Sequence, residues 1–311
     1  MLSKVINKVI KKMPYIRSLV KERDQLHDLV TAWKRHLRYV PPGHFYSPIP
    51  NLDEVRENES AIFGSAPEII AGIDLAEISQ LQLLDEFKTY YAELPFAAHK
   101  TPELRYFFEN PSYSYSDAII LYCMIRHAQP KRIVEIGSGH SSCVTLDTNE
   151  RFFSGRIKTT FIEPYPELLL SLIKPADQES IRLIPNKLQD VDAEVFQSLE
   201  ANDILFVDST HVCRTHSDVN RILFEILPSL KSGVYVHFHD IFYPFEYPKK
   251  WVYEGRAWNE AYALRAFLQF NNAFRIVFFN TYLEHFHRPL FEAHLPLCLK
   301  NPGGSLWLQR L

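Results

Sequence analysis

Between residues 132 and 309, short β-branched or aromatic runs alternate with segments long enough to hold helices, and this alternation constrains the fold more than any other feature. The runs are RIVEI (132–136), TTFIE (159–163), IRLIP (181–185), DILFVD (203–208), GVYVHFH (233–239), FRIVFF (274–279) and SLWLQ (305–309). The segments between the first five suit crossover helices. One of them, SDVNRILFEILPSL, sets Val219, Ile222, Leu223, Ile226 and Leu227 on one face. The pattern predicts an α/β fold with a mostly parallel sheet covered on both sides. Ligands of such sheets bind beyond the carboxyl ends of the strands.

The chain has 311 residues, enough for one large α/β domain and an extension. Apolar residues at 46% and charged residues at 23% exclude disorder as the dominant state. No stretch approaches the ~20 uninterrupted apolar residues of a membrane span. The four cysteines lie far apart with no CxxC pair and no secretory signal ahead of them, which suits neither a zinc site nor a disulfide framework. A reducing, cytoplasmic setting is expected.

The net charge of -3 hides an asymmetry, because residues 1–40 hold ten Lys or Arg against three acidic residues and leave an acidic remainder. A polyanionic substrate is disfavoured, and no nucleic-acid partner is expected. Leu2, Val5, Ile6, Val9, Ile10 and Met13 fall at helical spacing with lysines opposite, and Ile16, Leu19, Val20 and Leu26 continue the stripe past Pro14. This basic amphipathic segment suits the inner face of a membrane, a second subunit or the protein's own body. The expected organisation is a helical extension at 1–40, a proline-rich linker and helical cap at 41–110, and a catalytic domain at 111–311.

The sharpest local signal is IVEIGSGHSS, Ile133 to Ser142: an apolar strand carrying Glu135, then Gly137-Ser138-Gly139, then residues able to start a helix. Gly137 permits a tight turn and Gly139 lets a ligand approach the backbone. Ser142 stands where a dinucleotide fingerprint has its third glycine, which argues against an NAD-dependent dehydrogenase. Glu163, ending the second run, is placed to accept hydrogen bonds from both hydroxyls of a ribose. After the third run, Leu188 can pack on an adenine face while Gln189 or Asp190 bonds its amino group.

Taken in series, Glu135-Ile-Gly137-Ser-Gly139, Glu163, the LQD segment, Asp208 and the closing SLWLQ run resemble the class I S-adenosylmethionine-dependent methyltransferases over residues 111–311. The resemblance implies a Rossmann-like, doubly wound seven-stranded sheet whose last strand runs antiparallel. It implies S-adenosylmethionine as cofactor, with Glu135, Gly137, Ser138 and Gly139 around the methionine moiety. Glu163 would hold the ribose, and Leu188, Gln189 and Asp208 would complete the site. The chain departs from the family pattern after Gly139, where His140 and Ser141 follow.

On the acceptor side, FVDSTHVCRTHSD places Asp208, His211 and His216 beyond the fourth run, and GVYVHFHDIF places His237, His239 and Asp240 at the end of the fifth. Alternation sends His237 and His239 to one face. Methyl transfer to oxygen needs a group that removes the hydroxyl's proton. His211 is the favoured general base, with Asp208 and His239 beside it. Asp208 and Asp240 are also candidate magnesium ligands by resemblance to the metal-dependent O-methyltransferases and the cephalosporin-hydroxylase-like group. Ile241 stands where the catechol O-methyltransferase pattern has an amide ligand, so metal dependence is left open. The aromatic stretch 242–260 suits a lid over a sugar or aryl acceptor, or a dimer contact. The expected activity is methyl transfer to a hydroxyl of a small metabolite or glycan. The alternatives are a cephalosporin-hydroxylase-like metal-dependent enzyme on the same fold and a non-catalytic scaffold acting through residues 1–40.

Overall fold

The computed structural model describes residues 14–36 and 38–311. The described residues up to Ile62 form one compact unit and Phe63–Leu311 form another.

In the first unit, helix α1 (Pro14–His36) carries the later part of the predicted stripe. Leu19, Leu26, Leu29, Val30 and Trp33 are exposed on it. The part of the stripe from Leu2 to Met13 lies outside the described residues. Among the described residues, no helix is long and apolar enough to cross a membrane.

The second unit is built on seven strands: β1 (Arg132–Ile136), β2 (Lys158–Ile162), β3 (Arg182–Ile184), β4 (Ile204–Val207), β5 (Tyr235–His239), β6 (Phe274–Phe279) and β7 (Ser305–Arg310). They lie in the order β3-β2-β1-β4-β5-β7-β6. The first five pair in parallel, and β7 runs antiparallel to both β5 and β6. This is the Rossmann-like sheet of the sequence expectation, with its closing strand reversed. Chain direction outward from the centre changes between β1 and β4, so a crevice opens there at the strands' carboxyl ends.

Helix α2 (Glu77–Tyr91) and the stretch after it belong to this unit, although residues 63–110 read as linker and cap in the sequence. Leu83, Leu84, Phe87, Phe96, Tyr106 and Phe108 are buried in the same core as the sheet. Helix α3 (Tyr115–Ala128) is buried over most of its surface, Ala118 to Ile125 without break, because its sequence is apolar all round. It packs against helix α4 (His140–Phe153), which follows the glycine turn. Helix α5, residues 218–229, buries Val219, Ile222, Leu223, Ile226 and Leu227, the face read from their spacing. All four cysteines are free.

Arg105 ties residues 63–110 to the framework of α4. Its guanidinium donates from Nη1 to Asp147 Oδ1 and to Glu150 Oε2, each at 2.7 Å, and from Nε to Asp177 Oδ2 at 2.7 Å. The backbone N–H groups of Arg105 and Tyr106 donate to Asp147 as well. Arg105, Asp147 and Asp177 are all buried, so each charge depends on the others.

Candidate active site

The glycine turn is stitched to the strands on either side of it. Gly137 donates its N–H to Ile162 at 3.0 Å, and Asp208 donates its N–H to Ile136 at 2.8 Å. Gly137 has φ +83°, and a Cβ there would lie 2.3 Å from the Asp208 carbonyl oxygen. Only glycine lets the ends of β1 and β4 approach this closely. Gly139 differs: a Cβ there would meet only Leu168 Cδ2, at 3.5 Å.

Glu163 turns towards the glycine turn. Its carboxylate accepts a hydrogen bond from the backbone N–H of Tyr165 at 2.9 Å and faces the backbone N–H of Ser138. Burial raises its pKa, with the two backbone donors opposing. Gly137, Glu163, Leu188, Gln189, Asp208 and Ser209 line one cavity of about 530 Å³, of the size that small-molecule sites have. Leu188 is buried and offers an apolar face. Gln189 donates Nε2 to the His216 carbonyl at 2.9 Å. Asp190, the alternative to Gln189, is exposed and is not among the residues lining that cavity.

Glu135 lies beneath the turn and is not among the residues lining the cavity. Its Oε1 accepts from Ser141 Oγ at 2.6 Å and Ser142 Oγ at 2.8 Å, while its Oε2 is buried without a partner. Ser142 Oγ also accepts from the Gly139 N–H at 3.0 Å, closing the start of α4. The serine that replaces a third glycine thus holds both the turn and the carboxylate below it. Ser138 Oγ is likewise buried and unpartnered. Neither Glu135 nor Ser138 is among the residues lining the cavity, and both atoms are enclosed beside the turn.

Burial lifts the Glu135 carboxyl from 4.5 to about 8, against the two serine hydrogen bonds that lower it. A carboxyl raised on folding adds stability in full below its ordinary range, and that contribution disappears as pH climbs through the raised value. The melting temperature of the wild type should therefore fall more steeply between about pH 5 and 8 than that of Glu135→Gln. Parallel curves in calorimetric scans would refute a protonated Glu135.

At the ends of β4 and β5, His211 gathers three carboxylates. Its Nδ1 lies 2.8 Å from Glu260 Oε2, and its Nε2 lies 3.3 Å from Asp208 Oδ1 and 3.7 Å from Asp240 Oδ2. Glu260 is 1% exposed and also accepts from Ser209 Oγ at 2.9 Å. The Trp258 ring covers His211 at 4.3 Å. Burial disfavours the charged ring, but the bonds to Asp208 and Glu260 reverse this and take its pKa up to about 10. The ring already carries the proton that a base would accept.

Asp208 also resists its burial, and its carboxyl is lowered by the His211 hydrogen bond. His239 is buried with Nε2 3.4 Å from Asp240 Oδ1 and with Nδ1 unpartnered. Burial works against its proton, yet the charges of Asp240, Asp208 and Asp117 raise its pKa. His237 shares that face, its ring 6.1 Å from His239, but stacks on Phe206 and is driven neutral by burial. His216 is exposed, next to Ser217, which caps α5 by accepting from the Asn220 N–H.

The tentative magnesium site at Asp208 and Asp240 does not fit these donors. The two carboxylates do converge, but an imidazole N–H lies between them and engages the oxygens that a hard cation needs. Among the described residues, no group of three or more His, Cys, Asp or Glu is arranged to hold a metal ion. The aromatic stretch packs largely inward. Phe245 and Tyr247 are buried, while Trp251 and Trp258 lie 5.4 Å apart with the Arg256 guanidinium over both rings.

A family profile described as a methyltransferase domain matches residues 134–241, from β1 to the end of β5. An uncharacterized protein of Archaeoglobus fulgidus is 36% identical over 211 residues, which is 66% of this chain and 90% of that one. Among solved structures, the SAH-bound methyltransferase PaMTH1 of Podospora anserina is 13% identical with a TM-score of 0.42, covering 84% of this chain and 97% of its own. The O-methyltransferase TomG of Streptomyces achromogenes, in complex with SAM, is 14% identical with a TM-score of 0.40, covering 74% and 89%.

Proposed function

We propose that this chain, whose residues 134–241 match a methyltransferase domain, is a class I S-adenosylmethionine-dependent methyltransferase that moves the methyl group to a hydroxyl of a small metabolite or glycan. The observation that carries the cofactor's placement is the Glu163 carboxylate turned to the Ser138 N–H, in one cavity with Gly137, Leu188 and Asp208. Glu163 would hold the ribose, Leu188 the adenine face, and the glycine turn at Gly137 the methionine end. When bound, S-adenosylmethionine supplies an electrophilic methyl group.

Asp208 and Asp240 accept the hydrogen bond of the acceptor hydroxyl, and His211 keeps both carboxylates aimed. Trp251 and Trp258 form an aromatic wall beside this end of the site. Such a wall, with Arg256 across it, favours a sugar or aryl acceptor through stacking.

Glu163→Gln keeps the shape and removes the charge that receives the ribose. Its affinity for S-adenosylmethionine should fall about 10- to 100-fold, the worth of charge-assisted hydrogen bonds. Isothermal calorimetry decides: no heat from the wild type, or equal affinity in the variant, would defeat this reading.

A further inference from the structure

Two carboxylates at the ends of adjacent parallel strands repel one another unless positive charge lies between them. Asp208 follows β4 and Asp240 follows β5, and in this chain the space between them is taken by a side chain. His211 has φ +59° and Asp240 has φ +58°, a left-handed backbone that residues other than glycine adopt only where their surroundings impose it. Those two turns direct the His211 Nε2 to both aspartates. The far nitrogen of the ring is fixed by Glu260, from a segment 49 residues further along, and Trp258 closes over the ring. One imidazole therefore touches carboxylates from three separate segments.

We infer that the His211 ring is the built-in counter-cation of the methyl-transfer end of the site, standing where a divalent cation would otherwise draw Asp208 and Asp240 together. The inference rests on the reading of that aspartate pair as the acceptor's end of a methyltransferase site. His211 acts through the aspartates, so it is a positioning residue. Its proton serves to fix the pair and is not the one exchanged with the acceptor. The acceptor hydroxyl then meets two carboxylates already set in place, with no cation to be recruited.

The test is Mn²⁺ binding, followed by loss of the free-ion signal in electron paramagnetic resonance. The wild type should take up no Mn²⁺ at this place. His211→Ala vacates a volume in which three carboxylate oxygens lie within 3.7 Å of the missing ring. It should bind Mn²⁺ at least about tenfold more tightly than the wild type, because a hard cation prefers such an oxygen set. Adding Asp240→Asn should cancel the gain. A folded His211→Ala protein with no gain would overturn the inference, as would wild-type uptake that Asp240→Asn abolishes.

His211→Asn, which keeps a donor for Glu260, replaces the alanine variant if that one fails to fold. If neither folds, the comparison of wild type with Asp240→Asn decides by itself: uptake lost on substitution refutes, and no uptake in either sustains. S-adenosylmethionine calorimetry on the same samples separates the two ideas. A wild type that binds no cofactor defeats the methyltransferase reading and leaves the Mn²⁺ result to judge the counter-cation.

Discussion

Gly137→Ala should lose about 3 kcal/mol or more of stability and with it the cofactor site. The added carbon would sit 2.3 Å from the carbonyl oxygen of Asp208, a backbone atom that no rotamer change can move. The left-handed φ of +83° adds its own penalty for any residue with a Cβ. Relief requires the ends of β1 and β4 to separate. That movement breaks the Asp208–Ile136 hydrogen bond and shifts Asp208 within the cavity. Urea denaturation should show a lowered midpoint, and calorimetry should show no S-adenosylmethionine binding where the variant still folds. A midpoint and an affinity both equal to wild type would refute the close approach of the two strand ends.

Arg105→Met should cost about 3–5 kcal/mol, the loss seen when one member of a buried charge network is removed. Asp147 and Asp177 would each stay buried without the cation that holds them, and only the backbone N–H groups of Arg105 and Tyr106 would remain on Asp147. The consequence reaches function, since Asp147 belongs to α4, whose first turn carries Ser141 and Ser142 against Glu135. Replacing Asp147, Asp177 and Arg105 together by apolar residues should recover part of the loss, because no isolated charge is then left inside. Thermal and urea unfolding of the single and triple variants would measure this. A single variant within about 1 kcal/mol of wild type would show that the network is hydrated and not buried.

The sheet was legible in the sequence because each strand is a short run of β-branched or aromatic residues with a helix-length interval after it. All seven runs form strands at the predicted places. The direction of the closing strand came from family resemblance, since nothing within SLWLQ distinguishes an antiparallel partner from a parallel one. The glycine turn, Glu163, Leu188, Gln189 and Asp208 could be singled out because strand ends are local features, and the topology brings Gly137 and the other four to one cavity.

What was missed depends on contacts between distant segments. Glu260 lies 49 residues beyond His211, and no spacing rule links them. Without Glu260 in view, His211 reads as an ordinary loop histidine with its usual pKa. Glu135 could be placed at the end of β1, but its burial could not be foreseen. The adjacent serines that hold it are a signal available in the sequence: Ser142, three residues after Gly139, is placed to cap the helix. Residues 63–110 read as cap because polar and turn residues are frequent there. The buried positions among them become apparent only once α2 and Arg105 are set in the fold.

The antiparallel strand β7 lies between β5 and β6, although it follows both in the chain. During synthesis Phe274–Phe279 is made some 25 to 30 residues before the strand that joins it to the sheet. A ribosome pause in that interval would leave an aromatic-rich edge waiting for its neighbour, the kind of species that chaperones retain.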